Sequence, residues 1–270
     1  RRMFLHISTS LRSFRIHGSS LPKNFMPRVS DDSRHFVWIS LMRGILKSMA
    51  SICFYFQVHQ PFRVKDYRVF DIGNDSEYYN DKSDRSINNK KILEKVAGKC
   101  YLPANAVLLE LLNKHPEFKV SFSFSGVFLE QLEMFSPETL ESFQKLVATG
   151  RVEVLEETYY HSLSFLYSPE EFRRQVALHR AKVKKLFGVT PTIFRNTELI
   201  YNNALAHEVE KMGYKGIIAE GADHVLGWRS PNFLYRPQGT KKLKLLLKNY
   251  RLSADIAFRF ASKDWNDFPL

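Results

Sequence analysis

Five β-strand patterns alternate with helical patterns along the chain, and this alternation restricts the possible fold more than any other feature. Each strand pattern is a short run of β-branched, aromatic and aliphatic residues. The strand patterns lie at 51–58, 118–124, 152–155, 192–195 and 216–220. Strands that alternate with helices form a parallel sheet covered by crossover helices, so we expect an α/β fold. The alternation alone does not separate a barrel from an open sheet.

Residues 1–48 differ in composition from the rest of the chain. They hold nine Lys or Arg and two Asp, so they carry +7 of the formal charge of +12. They show no steady hydrophobic period, which predicts a non-globular extension ahead of a globular region at 49–270. Two explanations stay open. We favour sequence translated upstream of a start at Met49 over an organellar transit segment, whose composition is similar.

The concentration of charge in this extension weakens the case for an anionic macromolecular partner. No basic helix with base-reading side chains follows it, so we expect no nucleic-acid partner. We find no glycine-rich phosphate loop and no apolar run of membrane-spanning length. Cys53 and Cys100 lack metal-site spacing and fit a reducing compartment. The predicted location is the cytoplasm, with organellar import if 1–48 is a transit segment.

Charged and polar residues follow the ends of the predicted strands. Carboxyl ends of parallel strands meet at one edge, where α/β barrels place their chemistry, so we expect these side chains to lie together. Read singly, each has a simpler explanation, such as a solvated or ion-paired carboxylate or a core histidine. The candidates are Glu198, Asp223, Glu153 or Glu156, His59 and His161.

Carboxylates among many aromatic residues suit carbohydrate chemistry. Glycosidases place two carboxylates on either side of the glycosidic bond, and aromatic rings can pack on sugar rings. The residue types leave a second class open, a metal-dependent deacetylase in which His59, His161 and a carboxylate would hold zinc. No HxxH or HExxH motif supports that metal site.

Four motifs, in order along the chain, resemble the α-amylase-like branch of glycoside hydrolase family 57 from about Met49 to Leu270. One His-Gln-Pro is weak evidence, but four ordered motifs at predicted strand ends are specific. The motifs are FQVHQPFR around His59, GRVEVLEETYYHSL from Gly150 to Leu163, FRNTELIYNN from Phe194 to Asn203, and AEGADHVLGWRSPN from Ala219 to Asn232.

The resemblance implies an incomplete seven-stranded (β/α) barrel followed by a helical region, and we expect this chain to be truncated before that region. It implies retaining hydrolysis of α-1,4-glucans or maltooligosaccharides by double displacement, with no metal or other cofactor. Three alternatives stay open: 4-α-glucanotransferase activity, branching-type transfer on the same site, and an inactive glucan-binding remnant.

Carried over motif by motif, the resemblance makes Glu198 the nucleophile and Asp223 the general acid/base, with Glu220 as a competitor for the acid. We expect burial near an ionised Glu198 to raise the pKa of Asp223. Arg195 either steadies Glu198 or forms a salt bridge within the barrel. The resemblance also implies a substrate-binding set, with Trp228 as the residue that stacks on sugar: His59, Glu153, His161 and Trp228.

Overall fold

The computed structural model describes residues 4–11, 50–79 and 88–260. The strands are β1 (Phe4–Leu11), β2 (Ala50–Val58), β3 (Val120–Phe124), β4 (Val152–Leu155), β5 (Ile193–Arg195), β6 (Gly216–Glu220) and β7 (Lys244–Lys248). The α-helices are α1 (Asn89–Val96), α2 (Leu102–Lys114), α3 (Gly126–Phe135), α4 (Pro137–Ala148), α5 (Pro169–Phe187), α6 (Asn203–Lys211), α7 (Asp223–Leu226) and α8 (Tyr250–Ala254). In this described part of the chain, no helix is both long and apolar enough to cross a membrane.

Several helices begin at a residue whose side chain caps the first turn. Ser125, Ser168 and Asn202 precede α3, α5 and α6, and each side chain accepts a hydrogen bond from a backbone N–H of the first turn. Such a cap stabilises a helix by about 1 kcal/mol. The helix α5 ends at Gly188, whose φ of 72° suits glycine. These caps fix where the three helices begin, and Gly188 fixes where α5 ends.

The strands form two sheets, in the orders β1-β2-β3-β4 and β5-β6-β7. All neighbouring pairs are parallel except β1 with β2, which is antiparallel. A parallel bridge between Glu156 and Phe194 joins the two sheets. There the Glu156 N–H donates to the Ile193 carbonyl at 2.9 Å, and the Arg195 N–H donates to the Glu156 carbonyl at 2.8 Å. The predicted α/β class is confirmed, while the seven-stranded barrel stays a prediction.

The N-terminal segment contributes one element to this fold. Phe4–Leu11, which fall within the predicted non-globular extension, form β1 against β2 over eight residues. Residues 12–49 lie outside the described residues, as do 261–270. The boundary between extension and globular region therefore stays a prediction.

The hydrophobic core has an outer and an inner part. The outer part lies between strands and helices and includes Phe122, Phe124 and Phe143, which are fully buried. The inner cluster consists of Tyr55, Leu155, Leu199 and Ile218, with Ile193 and Leu246 packed against it. Its members come from both sheets and their ends. Residues of β2 and β7, which belong to different sheets, thus pack into the same cluster.

Candidate active site

Glu198 lies just beyond the carboxyl end of β5, within a short turn at Thr197–Leu199. Its backbone is left-handed, with φ 52° and ψ 21°, and Leu199 follows with φ 58°. Such a conformation costs a non-glycine residue roughly 1–3 kcal/mol and persists only where the surroundings enforce it. The side chain is 68% exposed. The turn therefore presents the carboxylate to solvent from a fixed backbone.

His161 makes the direct contact with Glu198. Its Nε2 lies 3.1 Å from Glu198 Oε1, and its Nδ1 lies 3.3 Å from Glu157 Oε1. The ring stacks on His59, with centroids 4.1 Å apart and planes at 21°. The His59 Nδ1 lies 2.6 Å from Ser125 Oγ, at the start of α3. His161, like Glu198, has a left-handed backbone, with φ 55°.

A group of mostly buried polar residues contacts the ring nitrogens of His161. Glu157 is fully buried, and its Oε2 faces the Ser123 hydroxyl and the Arg195 Nη1, the latter at 3.5 Å. The Arg195 Nη2 donates to Gln57 Oε1 at 2.6 Å. The contacts thus run from β2 and β3 through the ends of β4 and β5. We call His161, Glu157, Arg195, Gln57 and Ser123 the His161 network.

Charges inside the His161 network set the ionisation of its members. Burial would raise the pKa of Glu157, but the hydrogen bond with His161 and the positive Arg195 outweigh it and lower the pKa to about 2. Burial, with the nearby His161, lowers the pKa of His59 to about 4. Burial raises the pKa of Tyr55, which accepts a hydrogen bond from Arg195 Nε at 3.1 Å, to about 12. At neutral pH Glu157 is therefore a buried anion, while His59 and Tyr55 are neutral.

Asp223 lies at the first residue of α7, and its described contacts lead away from Glu198. The Tyr250 hydroxyl donates to Asp223 Oδ2 at 2.6 Å, and the Arg251 Nη2 donates to the same oxygen at 3.2 Å. The Tyr250 hydrogen bond and the Arg251 charge lower the pKa of Asp223. The expected rise in that pKa is wrong, because the side chain is 54% exposed and its partners stabilise the anion.

Glu153, another predicted sugar-binding residue, does not lie with His59 and His161. It is on β4, four residues before Glu157, which corresponds to roughly 13 Å along a strand. It lines a cavity of about 960 Å³ at the amino ends of the strands, together with Cys53 and Thr192. The Thr192 hydroxyl donates to Glu153 Oε1 at 3.5 Å, and burial raises the pKa of Glu153. The structure brings His59 and His161 to Glu198 but leaves Glu153 at the opposite end.

The two remaining candidates are Glu220, the last residue of β6, and Trp228, eight residues later. Trp228 is 90% exposed, and the guanidinium of Arg229 lies 5.3 Å from its ring centroid. Glu220 is two residues after Ile218 of the inner cluster, so strand alternation directs it to the interior side. The Lys248 Nζ donates to Glu220 Oε2 at 3.1 Å. Glu220 therefore shares the interior side of β6 with Ile218.

Sequence reasoning overlooked Glu157 in favour of its neighbour Glu156. Glu156 faces outward against α5, where His179, Arg180 and Tyr214 surround its carboxylate. Strand alternation was the available signal, since Glu157 is two residues after the inner-cluster residue Leu155. Arg195 takes the second of its two expected roles, the salt bridge, with Glu157.

The two histidines considered as zinc ligands are engaged with other protein groups. His59 contacts Ser125, and both ring nitrogens of His161 face carboxylates. Over residues 50–79 and 88–260, no three or more His, Cys, Asp or Glu are grouped so that they could hold a metal ion.

The sequence of the chain matches a known protein family over most of its length. The sequence profile described as "Glycosyl hydrolase family 57" matches residues 53–270. A curated protein of Methanocaldococcus jannaschii named "Putative alpha-amylase" is 46% identical over 223 residues, which cover 81% of this chain and 46% of the relative. The chain thus spans about half the length of this relative.

Solved structures share the fold at low sequence identity. A branching enzyme from Thermococcus kodakaraensis, in complex with glucose, matches with a TM-score of 0.57 and 12% identity, over 77% of this chain and 48% of that chain. A 4-alpha-glucanotransferase from Thermococcus litoralis matches with a TM-score of 0.54 and 21% identity, over 77% and 29%. At these identities the similarities show the fold alone.

Proposed function

The chain belongs to glycosyl hydrolase family 57, and from this premise we propose that it is a retaining glycosidase acting on α-glucans, with Glu198 as nucleophile. One observation carries the assignment. Glu198 presents an exposed carboxylate from a left-handed turn at a strand end, and a histidine backed by a buried anion holds it. A charged side chain in so constrained a place is typical of a reacting group.

The names of the relatives support the substrate class. One relative is named as a putative α-amylase, one as a branching enzyme and one as a 4-alpha-glucanotransferase. These names share α-glucan chemistry and differ in whether water or a sugar is the acceptor. We propose hydrolysis of α-1,4-glucans as the main reaction, with glucanotransferase or branching-type transfer as the alternative on the same site.

In the proposed mechanism, ionised Glu198 attacks the anomeric carbon while an acid protonates the departing glycosidic oxygen. The glycosyl ester on Glu198 is then attacked by water or a sugar hydroxyl, and the acid, now a base, takes the proton. The His161 Nε2–H donates to Glu198 Oε1, which leaves the second oxygen of the carboxylate free to attack. This donor also orients the carboxylate.

We propose Asp223 as the acid/base, as the family motif indicates. This role requires that its carboxyl group come about 5–5.5 Å from that of Glu198, the separation typical of retaining enzymes. It also requires protonation, so substrate must displace Arg251 and Tyr250 from Asp223 Oδ2. Trp228, fully accessible five residues later, is the proposed stacking residue for sugar.

We further propose that β1 to β7 form one incomplete barrel. The Glu156–Phe194 bridge connects the two sheets, and the inner cluster draws on strands of both. In addition, β1 lies beside β7, so the two outer strands approach each other. In such a barrel, the His161 network fills the carboxyl end and Glu153 lies at the amino end.

A second candidate function is glucan binding without turnover. It is favoured by one observation, the ion pair that holds Asp223 in an unprotonated form beside Arg251. If that pair persists with substrate bound, the site lacks an acid, although Glu198 and Trp228 stay accessible.

The experiment is turnover of maltoheptaose by the wild type and Glu198→Ala, with products resolved by length. Shortening by the wild type that is lost in the variant supports the proposal. Longer products point to transfer. Binding without turnover by the wild type supports the second candidate function, and equal turnover by both proteins refutes the assignment of Glu198.

A further inference from the structure

Two adjacent carboxylates, Glu156 and Glu157, directly follow β4, and both are completely buried. They face opposite sides. The Glu156 carboxylate faces His179 and Arg180 of α5, with Arg180 Nε at 3.3 Å, and accepts a hydrogen bond from the Tyr214 hydroxyl at 2.9 Å. Glu157 instead faces the His161 network. The pair offers a natural contrast between a carboxylate that holds a helix to the sheet and one that faces the site.

The surroundings of Glu157 keep it anionic and leave one of its oxygens for His161. Arg195 and the Ser123 hydroxyl both face Oε2, whereas Oε1 faces the His161 Nδ1. A buried anion is costly unless its lone pairs are occupied by donors. The Nδ1 of His161 therefore carries a proton that it donates to Glu157 Oε1.

The opposite side of the His161 ring has two competing partners. Its Nε2 lies 3.1 Å from Glu198 Oε1 and 3.4 Å from Gln57 Nε2. The Gln57 amide is oriented by Arg195, which donates to its oxygen, so its NH₂ group faces the ring. An unprotonated Nε2 would accept from Gln57, and a protonated Nε2 donates to Glu198. Only the second arrangement gives the carboxylate of Glu198 a donor.

We propose that Glu157 is a positioning residue that, through His161, holds the carboxylate of Glu198 in the orientation needed for attack. Glu157 itself touches no substrate. Each ring nitrogen of His161 faces a carboxylate oxygen, which accepts hydrogen bonds, so Nδ1 donates to Glu157 and Nε2 donates to Glu198. The charged groups around the ring are Glu157, Glu198 and Arg195, with the neutral His59 stacked on its face. The inference rests on the proposed role of Glu198.

The test compares Glu157→Gln with the matched variant Glu156→Gln. In Glu157→Gln, Ser123 and Arg195 still require an acceptor, so the new amide turns its NH₂ toward His161 Nδ1, which must then accept. The ring loses the Nδ1 proton and its positive charge. We expect kcat on maltoheptaose to fall on the order of 10²-fold, with KM within about twofold. In Glu156→Gln we expect kcat within about twofold and a lower Tm.

A second readout needs no activity. Nitrogen-15 spectra of the histidine rings, assigned with His161→Gln, report which ring nitrogens carry protons. We expect Nδ1 of His161 to be protonated in the wild type and in Glu156→Gln, and unprotonated in Glu157→Gln. This measurement on the wild type alone overturns the proposal if Nδ1 lacks a proton, even when Glu157→Gln fails to fold.

The two readouts separate the failure of this inference from failure of the proposed function. Loss of kcat in Glu157→Gln but not in Glu156→Gln, with the expected ring signals, supports the inference. Equal kcat in the two variants overturns it. If the wild type has the expected Nδ1 proton but turns over no maltoheptaose, the proposed function fails, and with it the positioning role, while the hydrogen bond stands.

Discussion

Glu198 and Asp223, the two carboxylates assigned to catalysis, are both exposed to solvent but differ in what holds them. Glu198 is anchored through His161 to a buried network built from four neighbouring strands or their ends. Asp223 is held by Tyr250 and Arg251, two consecutive residues of the short helix α8. Exposure to solvent therefore does not distinguish the two carboxylates, whereas the origin of the residues that restrain them does.

Glu198 and Asp223 also differ in the charged groups that surround them. The restraints on Glu198 end in a buried anion and leave one of its oxygens accessible, which suits a nucleophile. The restraints on Asp223 stabilise its anion and lower its pKa, which opposes the role of an acid. The structure therefore suits the proposed role of Glu198 as it stands, whereas the proposed role of Asp223 requires rearrangement of α8.

Removal of Glu198 should have the largest effect. Glu198→Ala lacks the atom that forms the covalent intermediate, so we expect kcat on maltoheptaose to fall roughly 10⁴-fold or more. Glu110→Ala, which removes another exposed glutamate paired with Lys114 on α2, should stay within about twofold. Comparable losses of kcat in both variants would contradict a catalytic role for Glu198.

The next largest effect is expected for Asp223, the proposed general acid, which we compare with its competitor Glu220. Asp223→Asn cannot donate a proton, and we expect kcat to fall about 10³-fold. Glu220→Gln keeps an acceptor for Lys248 and should lose less than about tenfold. A larger loss in Glu220→Gln would move the acid role to Glu220, whose side chain shares the interior side with the inner cluster.

A smaller effect is expected when the restraint on Asp223 is removed. Arg251→Met deletes a charge that lowers the pKa of Asp223, so that pKa should rise. A general acid works only while protonated, and activity falls as pH increases through its pKa. We therefore expect the alkaline limb of the kcat/KM profile to move to higher pH, with less than about a tenfold change at neutral pH. An unmoved limb would show that Asp223 is not the titrating acid.

The smallest effect is expected for Trp228, which is exposed and lies five residues after Asp223. Loss of one stacking face costs about 0.5–1.5 kcal/mol, so Trp228→Ala should raise KM roughly 2–10-fold with kcat nearly unchanged. Trp228→Phe, which retains an aromatic face, should recover most of the loss. Unchanged KM in both variants would place the sugar elsewhere.

Much of the fold was accessible from the sequence because strand and helix periods are local. The predicted strands at 152–155 and 216–220 coincide with β4 and β6. Within the site, His59, His161 and Glu198 follow strands and do meet. Strand alternation, applied beyond Leu155, would also have distinguished Glu157 from Glu156.

Other features depend on contacts that no local pattern encodes. The left-handed turn at Glu198 is imposed by its surroundings, since glutamate has no preference for that conformation. The partners of Asp223 lie 27 and 28 residues further along the chain. The position of Glu153 at the amino end of β4 follows from strand direction, which a motif does not convey.

The central claim is that Glu198 is the nucleophile, and the most direct test is to trap its covalent intermediate. The wild type would be incubated with 5-fluoro-α-glucosyl fluoride, which slows release of the glycosyl ester, and digested for mass spectrometry. We predict one added fluoroglucosyl group on the peptide that contains Glu198, absent in Glu198→Ala and reduced in Glu157→Gln. An adduct on Glu220 or Asp223, or turnover without any adduct, would contradict the account.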